Sequence, residues 1–167
     1  MLMVLLPIFP LLMALAASSD LLTMRISNRL VGIVAISFFP IAFFAGADLS
    51  LIGMHLAAAA LVLTITFGLF ALGWIGGGDA KLTAAIGLWF GFELLLPFLF
   101  YASLFGGVLT LALLVGRRQP LPALLLRADW AVRLHHPKTG VPYGIALALA
   151  AMIVYPQSFV FTQLAIF

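Results

Sequence analysis

The chain offers few residues for chemistry, and the carboxylates stand out among them. Its 167 residues include only five acids, eight lysines and arginines, three histidines and no cysteine. Without cysteine there is no thiol nucleophile, no thiolate zinc site and no disulfide. His135 and His136 are adjacent, and neighbouring helical side chains diverge by about 100°, so without a third ligand they read as a solvated loop rather than a metal site. His55 reads as structural. Asp20 and Asp79 differ from the other acids because each stands at the boundary of a long apolar run. Dehydrating an ionisable group there is expensive, which makes each a functional candidate. Singly, Asp20 is equally an interfacial flank and Asp79 a helix N-cap. Together they supply the parts for aspartyl hydrolysis: one ionised acid to activate water and one protonated acid to donate to the carbonyl.

The residues before Asp79 strengthen that combination. Gly76, Gly77 and Gly78 stand where an apolar helix would otherwise continue. Each glycine costs a helix roughly 1 kcal/mol against alanine. In exchange the backbone can unwind and another segment can approach closely. Unwound backbone at a membrane boundary needs protein or water to satisfy its amides, so a hydrated notch holding a carboxylate is expected.

The elements that must hold these groups are membrane helices. Hydrophobic residues make up 65% of the chain and charged residues 8%, whereas a soluble domain carries roughly 25% charged residues. The expected fold is all-α and polytopic, with residues 1–167 as one membrane-embedded domain. Leu2–Ser19 is the first uncharged run and is read as a retained helix, because a secretory signal would begin with basic residues and the first here is Arg25. Leu30–Ala47 and Leu49–Gly78 follow. Leu82–Gly116 is long for one span and short for two. Two short spans with a tight turn near Gly91–Glu93 would place Arg25, Arg29, Lys81, Arg117, Arg118, Arg127, Arg133 and Lys138 all on one face. Asp48, His55 and Glu93 would lie on the other. By the positive-inside rule the basic face is cytoplasmic, and the net charge of +3 then marks loops rather than nucleic-acid binding. Gln119–His136 mixes Leu124, Leu125, Leu126, Trp130 and Leu134 with Arg127, Asp129 and Arg133, which suits an amphipathic segment in the cytoplasmic interface. Val141–Pro156 makes the sixth span, leaving both termini outside the cytoplasm. No sequence repeat relates the halves. Trp74, Trp89 and Trp130 suit interfacial positions.

On this framework Gly76-Gly77-Gly78-Asp79-Ala80-Lys81-Leu82 resembles the Gly-x-Gly-Asp-x-Lys-Leu signature of the type IV prepilin peptidases. Asp20 precedes Asn28 by eight residues, as the first aspartate of that family precedes its Pro-Asn or Pro-Asp element. Ala84-Ala85-Ile86-Gly87-Leu88-Trp89-Phe90-Gly91 and Pro142-Tyr143-Gly144 match two further elements. Ser27 departs from the pattern: it stands where the family has proline, so the loop after helix 1 lacks a fixed φ. The cysteine-free chain is similar to the short, peptidase-only branch of Flp (tight-adherence) pilus systems.

The resemblance implies an aspartic endopeptidase with Asp20 and Asp79 as catalytic pair. Gly76, Gly77, Gly78, Lys81 and Asn28 would support them, with no metal or organic cofactor. Lys81 would either steer the ionised site or anchor its helix by snorkelling. The implied setting is the cytoplasmic face of a bacterial inner membrane. The substrates would be prepilins or pseudopilins, cut after a glycine ahead of their hydrophobic helix, with pilus assembly machinery as a further partner. Two other functions use the same residues differently. A proton-coupled transporter would employ the aspartates as a relay, which favours acids near the bilayer midplane; an inactive scaffold of a secretion machine would need neither.

Overall fold

A computed structural model describes residues 2–166, and these form helices and loops with no strand among them. After a 3-10 turn at Leu2–Leu5, the helices are α1 (Ile8–Thr23), α2 (Asn28–Phe44), α3 (Leu49–Ala71), α4 (Gly77–Gly116), α5 (Asp129–His135), α6 (Tyr143–Val154) and α7 (Phe159–Leu164). Met3–Thr23, Leu49–Ala71 and Gly77–Gly116 are long and apolar enough to cross a membrane; Asn28–Phe44 and Tyr143–Gln157 are shorter apolar helical stretches. Large side chains such as Phe43 and Leu96 stand outward, 71% and 75% exposed. An outer surface of that kind suits hydrocarbon and not water. The chain is a membrane protein.

The division of Leu82–Gly116 rests on one residue. Gly91, inside α4, has φ 59° and ψ −167°, a combination that side-chain-bearing residues essentially do not adopt. As one rod, α4 would set Thr110 about 46 Å from Asp79 at 1.5 Å per residue. Instead both line a single cavity, and the rings of Phe90 and Phe98 lie 5.6 Å apart. The chain therefore folds back at Gly91, giving a first arm (77–90) and a second arm (92–116) side by side. His55 on α3 completes the turn: its Nδ1 lies 2.7 Å from the Leu88 carbonyl oxygen, satisfying an acceptor near the end of the first arm. A Cβ on Gly91 would come within 3.0 Å of His55 Nε2.

Packing against the fold-back relocates one tryptophan. Trp89 is not an interfacial residue: it is wholly buried, 4.6 Å from the Phe9 ring, and its Nε1–H donates to the Val34 carbonyl at 2.8 Å. Its position two residues before the break turns it into the bundle, and the indole N–H then needs a protein acceptor. Trp74 is 74% exposed and Trp130 half-buried. Alanines 146, 148, 150 and 151 of α6 are buried, and small side chains of this kind let membrane helices approach closely. The stretch 119–136 is less regular than one amphipathic helix. It consists of a loop through Pro120 and Pro122, a 3-10 turn at Leu125–Arg127, and the short α5, since neither proline can donate a helical hydrogen bond.

Candidate active site

Connectivity brings the ends of several helices together. The end of α1, the start of α4's first arm, the end of its second arm and the start of α6 meet at one end of the bundle, where Asp20, Asp79, Thr110 and Tyr143 line one cavity of about 690 Å³. The segments holding all eight lysines and arginines belong to this end. Asp48, which caps α3 by accepting from the Leu51 N–H, and Glu93 beside the turn at Gly91 belong to the other.

Asp20 stands one turn before the end of α1 and is only 5% exposed. Its Oδ2 accepts a 2.7 Å hydrogen bond from the Gly144 N–H, in the first turn of α6, where backbone donors lack helical partners. α1 stops just beyond it. Met24 takes φ 56° and ψ 32° as the C-cap, its N–H donating to the Asp20 carbonyl at 2.7 Å. This left-handed conformation is unusual for a side-chain-bearing residue and costs about 1 kcal/mol or more. The turn is tied down behind it, because Ser19 Oγ and Thr23 Oγ1 both donate to the Arg25 carbonyl, at 2.8 and 3.2 Å.

Asp79 lies in the first turn of α4. The break before it falls a little earlier than the glycine run: Gly73 carries the positive φ of 75°, Gly76 is the N-cap, and Gly77 and Gly78 are already helical. Gly76 itself gives no side-chain cap. The Asp79 carboxylate folds back beside it, so that a Cβ on Gly76 would sit 2.8 Å from Oδ2. Gly77 and Gly78 serve close approach: added Cβ atoms would meet the Phe70 ring at 3.2 Å and Ile26 at 3.3 Å. Ile26, buried between α4 and α6, also faces Gly144, where a Cβ would lie 2.8 Å from both Ile26 Cδ1 and Asp20 Oδ2. Glycines from two helices thus make room for one isoleucine, and the two aspartates stand around it.

A second cavity, of about 500 Å³, also borders the pair. It is lined by Asp20, the loop 23–28, the three glycines and Asp79. Beside it Lys81 Nζ donates to Asn28 Oδ1 at 2.9 Å, joining α4 to the start of α2. The residues that the family resemblance named for the site therefore lie together at one end of the bundle: Asp20, Asp79 and the three glycines line the second cavity with Asn28, and Lys81 braces it. Ser27 fills the role expected of proline by different means. Its φ is −69°, within the range a proline ring would impose, and its Oγ caps α2 by accepting from the Leu30 N–H at 3.2 Å.

Gly144, Ile26, Met24 and Tyr143 were not assigned roles from sequence. Tyr143 and Gly144 did leave a signal, as part of the Pro142-Tyr143-Gly144 element at a helix start. Tyr143 crosses the second arm at Gly106, where any Cβ would collide with its ring. His136 Nδ1 accepts from the Lys138 N–H, and no cluster of three or more metal-ligating side chains occurs among the described residues.

Comparison with known families gives a match over residues 7–111 to the type IV leader peptidase family, a range that holds both aspartates and the glycine run. No curated protein and no solved structure matched.

Proposed function

From the premise that the chain belongs to the type IV leader peptidase family, and so is a protease, we propose that it is an aspartic endopeptidase removing the leader of type IV (Flp-like) prepilins or pseudopilins. The observation that carries this is the convergence of Asp20 and Asp79, from helices distant in sequence, on the same two cavities. A peptide strand passing between the cavities would bring its scissile carbonyl to the pair. One carboxylate would take a proton from the attacking water while the other gives a proton to the carbonyl oxygen. The tetrahedral intermediate then collapses as the amine leaves with a proton returned from the pair. The Gly144 N–H fixes the orientation of Asp20, and the Gly76 backbone confines Asp79. Neither step needs a metal or organic cofactor.

The same proposal sets the topology. Six apolar helical stretches (α1, α2, α3, the two arms of α4, and α6) would cross the inner membrane. The basic end, with the aspartates, would face the cytoplasm, and 119–136 would lie in the interface.

The test is co-expression with candidate prepilins, scored for leader removal at matched enzyme levels. Asp20→Asn and Asp79→Asn should each abolish nearly all cleavage, and the double variant should be scarcely worse, because residues acting as one unit are strongly non-additive. Asp48→Asn, Glu93→Gln and Asp129→Asn should keep most activity. Robust cleavage by either single aspartate variant would refute the pair.

A further inference from the structure

We infer that Arg117 is a positioning residue for Asp20, acting from outside both aspartate cavities through the segment that enters α6. This inference rests on the aspartyl peptidase proposed above. Arg117 ends the second arm of α4. Its Nε–H donates to the Leu134 carbonyl at 2.9 Å and its Nη2 to the Gly140 carbonyl at 2.8 Å. One guanidinium thus joins α5 to the loop before α6 and closes the long connection against the helix from which it departs. Both acceptors matter locally. Leu134 lies in the last turn of α5, whose carbonyls lack helical partners and favour a cation. Gly140 stands four residues before Gly144, the donor to Asp20.

The intervening residues transmit the tether. Pro142 holds φ at −73°, and a residue before proline, here Val141, is confined to extended backbone. A segment with so little torsional freedom carries a fixed carbonyl at 140 into a fixed N–H at 144. Arginine suits the task because its planar fork presents several donors in rigid geometry, which a lysine ammonium cannot reproduce. Arg118, next in sequence, is exposed and makes no side-chain hydrogen bond among the described residues. It carries the same charge without the tether.

The experiment uses the full chain in phospholipid vesicles with a purified prepilin. Arg117→Gln should lower kcat by about tenfold to 10²-fold, the range for sub-ångström to ångström misplacement of a reacting group. KM should change less than kcat, because Arg117 itself lines neither aspartate cavity and reaches the larger one only through Gly140. Arg117→Lys should recover part of the rate through one of the two contacts, and Arg118→Gln should match the unsubstituted protein. The absence of cysteine allows a single nitroxide at Lys138→Cys, whose spectrum should show a more mobile loop in the Arg117→Gln background and not in Arg118→Gln. Unchanged kcat in Arg117→Gln would overturn the inference, as would an equal loss in Arg118→Gln, which would make charge alone responsible. Those results would leave the peptidase standing so long as Asp20→Asn stays inactive. Cleavage by Asp20→Asn would instead remove the peptidase proposal itself.

Discussion

Replacing Gly144 with alanine adds a single methyl group where α6 meets the Asp20 carboxylate. The backbone there is ordinary helix, so propensity alone would favour alanine by roughly 1 kcal/mol. Space argues the other way. The new carbon would lie 2.8 Å from Asp20 Oδ2, 2.8 Å from Ile26 Cδ1 and 3.1 Å from Asp20 Cβ, and overpacking of this kind costs about 1–3 kcal/mol. Those two effects alone lower stability by roughly 0–2 kcal/mol, and loss of the Gly144–Asp20 hydrogen bond adds to that. The function should suffer more. Displacing the carboxyl group breaks the Gly144–Asp20 hydrogen bond, worth about 1.5–3 kcal/mol where Asp20 is the ionised member of the pair. At about 1.4 kcal/mol per factor of ten, cleavage should slow by roughly 10- to 100-fold while the protein still folds. The assay is single-turnover leader cleavage in vesicles, paired with thermal unfolding of the same preparation. Adding Ile26→Val removes Cδ1 and should relieve only that part of the overpacking without restoring rate, since the contact with the carboxylate remains. A Gly144→Ala protein that cleaves at the full rate would show that the contact does not orient Asp20, and would refute the reasoning.

Gly91→Ala should destabilise the protein by at least about 1–3 kcal/mol, because alanine cannot hold φ 59° and ψ −167° and its Cβ would press on His55; unfolding and membrane yield measure this, and a neutral result would place the turn elsewhere. Ser27→Pro should keep full cleavage and change stability by less than about 1.5 kcal/mol. The lost cap offsets the entropy gained by fixing a φ that is already compatible, and a severe loss would mean that the cap orders the loop. Reporter fusions after Arg29, Lys81 and Arg127 should report cytoplasm, and those after Asp48 and Glu93 the outside. An exterior signal at Arg127 would contradict a double crossing by Leu82–Gly116.

The sequence by itself determined the solvent, the element type and the chemistry on offer. Long uncharged runs can satisfy their backbone in hydrocarbon only as helices, so the class followed from composition. Placing all eight lysines and arginines on one face led to reading Leu82–Gly116 as two segments, and the glycine at the expected turn proved to hold a conformation only glycine tolerates. The glycines ahead of Asp79 marked a break at one helix end, and the spacing of Asp20 from Asn28 pointed to the pair only through the resemblance to the type IV prepilin peptidases. What lay beyond was contact between segments remote in the chain. That Gly144 donates to Asp20, that Ile26 fits between Gly78 and Gly144, and that Arg117 holds both Leu134 and Gly140 depend on how α1, α4 and α6 converge. No periodicity within one helix encodes such a meeting. Trp89 shows the same limit: as a residue type it suits an interface, and only the fold-back at Gly91 buried it against Phe9 and the Val34 carbonyl. Ser27 marks the limit in the opposite direction, since a missing proline implied a looser loop. The tertiary structure supplied the same φ with a side-chain cap, because the direction of the chain leaving Asp20 is fixed by the Met24 turn and the start of α2 rather than by one residue's ring.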